Sequence, residues 1–283
     1  VIETLNAAAK QDNVHGYQSY IGIPALRNGF AAWYKRSYNV ELDAESEVLP
    51  LMGSKEGIMH ISMAFLNPGD EVLVPNPGYP TYNAVTNLVG AKARFYELKE
   101  SNSWQPDLAA IEREDLSKVK LMWLNYPNMP TGAPADRAVM ERVIAFGKKH
   151  NIVICNDNPY SFILNPEPSS ILSVEGAKDI AIELNSLSKS HNMAGWRIGM
   201  AASNKEFISY VLRVKSNMDS GMFRPLQEAA AKALDCDPSW YEQVNKVYAQ
   251  RRSLVFELME ILGCSYDAKQ VGLFVWGRIP SKY

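Results

Sequence analysis

Residues 179–199 read DIAIELNSLSKSHNMAGWRIG. The opening DIAIEL is a short, mostly apolar run of the length expected of a buried strand. It empties into a loop that presents Ser186, Ser188 and Lys189 and, eight residues after the lysine, Arg197. Strand character resumes in WRIGMAAS (196–203). In open α/β sheets ligands settle outside the carboxyl ends of the strands, so hydroxyls, an amine and a guanidinium at such an end mark a candidate site.

Working outward, the same alternation recurs. IPALRNGFAAWYKRSY (23–38) places Leu26, Phe30, Trp33 and Tyr34 at helical spacing on one face. GSKEGIMHISMAFL (53–66) reads as a helix, NPGD (67–70) as a turn, EVLVP (71–75) as a strand, TYNAVTNLVG (81–90) as a helix and KARFYEL (92–98) as a strand. The strand VKLMWLNYP (119–127), the helix PADRAVMERVIAFGKKH (134–150) and the strand IVICND (152–157) follow. Short apolar strands separated by helices predict an α/β fold: a mostly parallel sheet with helices on both faces. Beyond residue 204 the pattern turns helical, and 237–262 is long enough to connect two domains. GLFVWGRI (272–279) reads as a strand, and a lone strand cannot bury its faces. The expected division is a large domain over 1–250 and the start of a small, truncated α/β domain over 251–283.

The chain has 283 residues, 47% apolar and 21% charged, a composition that supports a sizeable core. A net charge of −2 offers no basic field for nucleic acid. Cys155, Cys236 and Cys264 form no paired motif, so neither a disulfide framework nor a metal site is expected and a reducing cytoplasm fits. No stretch approaches the roughly 20 apolar residues needed to cross a bilayer, and VIETLNAAAK lacks signal-peptide order. A soluble protein without membrane or nucleic-acid partners is the expectation.

At the strand ends stand Asn125 and Asn128 after LMWL, Asp157 and Tyr160 after IVIC, and Ser186, Ser188 and Lys189 after DIAIEL. Singly each has an ordinary reading: a solvated lysine, a turn aspartate, capping serines, a surface arginine at 197 and a core tyrosine at 79. Together they suit an aromatic, phosphorylated aldehyde. A lysine forms a Schiff base with the aldehyde and, once released, shuttles protons. A carboxylate facing a pyridine nitrogen keeps it protonated, making the ring an electron sink. An arginine fork and hydroxyls match a phosphate, and GSKEG (53–57) offers the backbone N–H groups of a helix start. GSKEG lacks the spacing of a nucleotide P-loop.

With HGYQSYIGIPALR, GSKEG, NPGYPTY, NYPNMPTG, NDNPY, SLSKSHNMAGWRIG and GLFVW in order along essentially its whole length, the chain resembles the pyridoxal-phosphate-dependent aminotransferases of class I and II, with the aspartate aminotransferase fold. The resemblance implies that residues 1–250 are the large cofactor-binding domain, including dimer contacts. It implies amino transfer between an amino acid and a 2-oxo acid through an internal aldimine on Lys189, which then moves the substrate proton. Asp157 falls at the pyridine-nitrogen partner, Tyr160 at the phenol bonded to the ring oxygen and Tyr79 at the stacked aromatic. Ser54 and Lys55 fall on the backbone phosphate loop, and Ser186, Ser188 and Arg197 at the side-chain phosphate positions. Tyr17 matches a tyrosine that reaches the neighbouring subunit's phosphate, so a homodimer is implied.

Two departures stand out. The family usually has Asn immediately before PTG; here Met129 stands there and Asn128 precedes it. Methionine supplies no donor, so either Asn128 bonds the ring oxygen or Tyr160 serves it alone. The family arginine that grips the substrate carboxylate is expected beyond residue 283, Arg278 being too early, and the amino-terminal substrate-contacting segment ahead of Val1. The rival chemistry on the same cofactor is carbon–sulfur β-elimination or decarboxylation, since fold does not fix reaction. A non-catalytic effector-binding domain is the reading from another class, and no basic helix-turn-helix supports it. His191 reads as a structural neighbour of the lysine or a substrate contact.

Overall fold

The computed structural model describes residues 1–134 and 136–283. Two helices open the chain, α1 (Ile2–Ala9) and α2 (Pro24–Tyr38). Pro24 sits in the first turn of α2, where its missing N–H costs nothing, and Asn39 closes the helix in the left-handed region. Leu26, Phe30, Trp33 and Tyr34 are fully buried, as their spacing predicts. Then come β1 (Val48–Leu51), α3 (Ser54–Phe65), β2 (Glu71–Asn76), α4 (Pro80–Leu88), β3 (Lys92–Glu97), the short α5 (Leu108–Ile111) and β4 (Val119–Leu124). They are followed by α6 (Arg137–His150), β5 (Val153–Asp157), β6 (Ala181–Ser186), the one-turn α7 (Leu187–Ser190) and β7 (Gly199–Ala202). Asp136 caps α6 by accepting from Ala138 N and Val139 N; Ala135, at the expected start of this helix, lies outside the described residues. The chain continues through α8 (Lys205–Lys215), α9 (Arg224–Leu234), α10 (Ser239–Ile261), β8 (Ser265–Tyr266) and β9 (Gly277–Arg278).

The main sheet runs β1-β7-β6-β5-β4-β2-β3. Pairings from β6 through β3 are parallel, and β7 is antiparallel to both its neighbours. Strand order reverses between β2 and β4, and the carboxyl ends beside that switch are where a ligand crevice forms. One core face joins the sheet to α2, α6 and α9 through Trp33, Met122, Ile144, Ile154 and Ala230. The other joins it to α3, α4 and α8 through Ile58, Tyr82, Trp123, Leu184 and Val211. Both faces are thus covered, the arrangement that parallel strands require.

Three stretches differ from the sequence reading. β1 was not anticipated: four residues containing Pro50 carry little strand signal, yet all are buried and the proline is tolerated on an edge strand. β7 begins only at Gly199, because Ala194–Trp196 forms a 3-10 turn and Arg197 takes a φ of 58°. Of GLFVWGRI only Gly277–Arg278 is strand, paired with β8. Ahead of it Gly272 has a φ of 84°, and Trp276 N bonds the Gln270 side chain instead of a neighbouring strand.

Candidate active site

Lys189 stands on the single turn of α7, which starts where β6 ends. Leu187 is fully buried and its N–H donates to Ile198 O at 3.1 Å, while Met193 N returns to Leu187 O at 3.2 Å. The loop is thereby folded onto the strand that follows it, leaving Ser188 and Lys189 half-buried. Arg197, in its left-handed backbone, donates Nη1 to Ala194 O at 2.9 Å and lies across the turn before α3. A φ of 89° calls for glycine at Gly53, and a Cβ there would also sit 2.3 Å from Arg197 Nη2 and push the guanidinium aside. Ser54 and Lys55 form the first turn of α3 beside the guanidinium.

Asp157 ends β5, with its side chain buried. Tyr82 donates its hydroxyl to Asp157 Oδ2 at 3.1 Å, and Asn125 Nδ2 donates to the Asp157 carbonyl at 2.7 Å. Oδ1 is buried and has no hydrogen-bond partner among the described residues. Burial, with Glu183 on the next strand adding to it and the Tyr82 bond opposing, pushes the carboxyl up to about 7. Tyr82 itself lies flat on Trp123, with ring centroids 4.9 Å apart, and Tyr79 meets it edge-on at 5.6 Å. Phe274 meets the Tyr160 ring edge-on at 5.8 Å, and burial raises that phenol.

These elements enclose a cavity of about 420 Å³. Ser54, Lys55, Tyr79, Asp157, Tyr160, Ser186, Ser188, Lys189 and Arg197 all line it, as do Tyr82, Asn125, Met129 and Phe274. One residue expected to line this cavity is elsewhere, and one expected at a second copy's site is exposed on this chain. Asn128 is buried in the turn after β4, where Nδ2 donates to Asn125 O and Oδ1 accepts from the Thr131 hydroxyl at 2.7 Å; Met129, not Asn128, reaches the cavity. Tyr17 is 92% exposed and does not line the cavity. His191 also turns away, toward Ser190, Tyr241 and Cys236. The sequence reading missed Tyr82, whose signal is its position in the first turn of α4, three residues after the Tyr79 N-cap. Ligand atoms of Glu56 and His60 on α3 and of Asp219 after α8 lie within 4.8 Å of one another, and the Lys215 ammonium is 2.8 Å from Asp219.

The family model "Aminotransferase class I and II" matches residues 1–282. The chain belongs to that aminotransferase family. An LL-diaminopimelate aminotransferase of Nitratidesulfovibrio vulgaris is 41% identical over 286 residues, covering 100% of this chain and 74% of the relative. One from Dehalococcoides mccartyi is 42% identical over 285 residues with the same coverage. Among solved structures, apo-BacF from Bacillus subtilis superposes with a TM-score of 0.96 at 39% identity, covering 100% of this chain and 76% of that one. The aminotransferase transfers amino groups between amino acids and 2-oxo acids with pyridoxal 5'-phosphate.

The cavity fits that cofactor on its own terms. A protonated ring nitrogen is the donor that the unpartnered Asp157 Oδ1 lacks. The free N–H groups at the start of α3, with Arg197 beside them, are the surroundings a phosphate requires. No helix among the described residues is long and apolar enough to cross a membrane.

Proposed function

We propose that this aminotransferase takes LL-diaminopimelate as its amino donor, passing the amino group to a 2-oxo acid, and that it works as a cytoplasmic homodimer. The support for the substrate is that relatives bearing that name match the chain from end to end at 41–42% identity. Residues 1–250 then make up the large cofactor-binding domain, and α10, which has no buried residue, leads into a small domain from residue 251.

In this reading Lys189 binds the cofactor aldehyde and afterwards carries a proton to or from the substrate α-carbon. Asp157 would hold the ring nitrogen protonated, Tyr160 would donate to the ring oxygen and Tyr79 would cover the ring face. Ser54, Lys55, Ser186, Ser188 and Arg197 hold the phosphate, with Tyr17 of a second copy added across the interface. The bound cofactor supplies an electron-withdrawing ring that stabilises negative charge at the substrate α-carbon. The observation behind these roles is the unpartnered Asp157 oxygen in the same cavity as Lys189, with a cationic rim of Lys55 and Arg197. The Phe274 ring, which has no cofactor role in that wall, also favours a second reading, an aromatic amino donor.

A half-reaction screen decides the donor. Each amino acid is mixed with holoenzyme and conversion of the visible absorption is followed; LL-diaminopimelate converts it fastest, and fast conversion by aromatic amino acids with none by LL-diaminopimelate replaces the first reading by the second. The dimer is tested with hybrids of Lys189→Ala and Tyr17→Phe chains. If Tyr17 acts across the interface, one hybrid site carries both lesions and the other neither, and activity exceeds the average of the parents; averaging after subunit exchange rejects it.

A further inference from the structure

We propose that His191 is a positioning residue for Lys189, the middle link of a one-way hydrogen-bond chain that runs from the core helix α2 to the turn carrying the lysine. The inference deepens the reading above and rests on Lys189 as the cofactor-binding lysine.

One turn of helix cannot hold its own geometry, because nucleation fixes several residues for a single bond. α7 is held from outside. Trp240, in the first turn of α10, donates Nε1 to Ser190 O at 3.0 Å. Its neighbour Tyr241 receives the indole N–H of Trp33, from α2, at 3.0 Å. An indole only donates, so the Tyr241 oxygen accepts and its own proton is free to go onward. His191 Nε2 lies 3.3 Å from that hydroxyl and 3.7 Å from Cys236 Sγ, both potential donors. The relay assigns Nε2 as the acceptor, which puts the ring proton on Nδ1. Nδ1 is 2.9 Å from Ser190 Oγ, and Ser190 Oγ donates to Ser186 O at 3.4 Å. With that tautomer every proton in the chain points the same way, toward Ser186.

The chain is kept neutral. Burial, with the Arg36 guanidinium adding to it, holds the imidazole down to about 4, so His191 retains one donor and one acceptor nitrogen at neutral pH. The Trp33 ring meets the imidazole edge-on at 5.6 Å, fixing its plane. His191 does not line the cavity, so whatever it does for the reaction is done through the backbone and hydroxyl of its neighbours.

The test uses holoenzyme carrying Ser190→Ala, Tyr241→Phe, their combination, His191→Asn and His191→Leu. The readouts are kcat, KM and the pH midpoint of the visible band of the lysine-bound cofactor. Ser190→Ala and Tyr241→Phe each lower kcat about 10-fold with KM within about 2-fold, and move the midpoint by about 0.5 pH unit. The double variant is no worse than the worse single, because the links act in series. His191→Asn, whose amide N–H replaces Nδ1–H toward Ser190, recovers most of what His191→Leu loses. A wild-type midpoint and kcat in Ser190→Ala and Tyr241→Phe, even with lowered Tm, make the network purely structural and overturn the proposal. Additive losses in the double variant overturn the series arrangement. Lys189→Ala separates the two levels: a retained wild-type band sinks the reading of Lys189 itself, whereas loss of the band there with unmoved midpoints in the other variants sinks the relay alone.

Discussion

Two buried carboxylates lie on adjacent strands of the same sheet and are treated in opposite ways. Glu183 on β6 pairs across the strands with Asn156, and Asp157 pairs with Leu184, so side chains alternate and the two acids face opposite sides of the sheet. Glu183 is completely buried and collects four donors: the hydroxyls of Tyr34 and Ser170 on Oε1, and Asn156 Nδ2 and Ile171 N on Oε2. Asp157 has the Tyr82 hydroxyl on Oδ2 and, among the described residues, nothing on Oδ1. Burial raises both carboxyl groups. Only one of them is left with an unmet bond, and it faces a cavity that also holds an amine and a guanidinium. An acid whose oxygens are all met inside the protein holds the fold, whereas one with an open acceptor beside an amine and a guanidinium in a cavity is placed to meet a donor there.

The sharpest way to break this contrast is to neutralise each acid in turn. Asp157→Asn lowers turnover about 10²- to 10³-fold with the fold intact, because an amide cannot hold a ring proton by charge. Glu183→Gln does the reverse: it loses about 2–3 kcal/mol of stability, since four donors are matched to a carboxylate, while the folded fraction keeps turnover within about 3-fold. Steady-state kinetics beside denaturant melts read both effects. Similar kinetic losses in the two variants would erase the distinction.

A smaller effect follows from the raised Asp157 carboxyl. Its folded-state pKa, about 7, exceeds its unfolded value, so its contribution to stability is present below pH about 4 and is lost as pH rises toward 7. Glu183 is raised in the same direction, so Asp157→Asn flattens the profile only in part. Apo-protein melts across this range fall less steeply in Asp157→Asn than in wild type, by on the order of a few kcal/mol at most. With cofactor bound, the wild-type slope shrinks as well, because a nearby cation favours the ionised carboxylate. Equal slopes in apo wild type and Asp157→Asn would mean that the carboxyl titrates as it does in the unfolded chain.

Much of this arrangement is legible in the sequence. The helical spacing of Leu26, Phe30, Trp33 and Tyr34, and the runs ending at Asp157 and Ser186, carry the sheet and its ligand edge without any coordinates. Asn128 was not legible, because adjacent residues at a strand end differ only in which way a turn aims them. Here the Thr131 hydroxyl draws Asn128 inward and leaves Met129 on the cavity wall. Asn125 was legible as a strand-end residue, but its bond to the Asp157 carbonyl and that of Tyr82 to the Asp157 carboxylate come from other elements and leave no mark in the sequence. The strand expected at 272–276 failed for the converse reason: its apolar residues are spent on cavity and turn contacts, with Phe274 packed on Tyr160.

The Asn128 turn gives the smallest effect. Asn128→Ala costs about 1–2 kcal/mol by removing the acceptor for the Thr131 hydroxyl proton, and does not move the visible absorption midpoint of the holoenzyme. Met129→Asn puts an amide donor on the cavity wall and lowers that midpoint, because a donor to the ring oxygen stabilises the deprotonated form of the bound chromophore. A shift in Asn128→Ala with none in Met129→Asn would reverse the two positions.

The most direct test of the contrast between the two acids is the protonation state of the cofactor ring nitrogen, read by nitrogen-15 NMR of labelled pyridoxal 5'-phosphate bound to wild type, Asp157→Asn and Glu183→Gln at neutral pH. The nitrogen is protonated in wild type and in Glu183→Gln, and unprotonated in Asp157→Asn. The same protonation state in wild type and Asp157→Asn would contradict the assignment of the unpartnered Asp157 oxygen to that nitrogen.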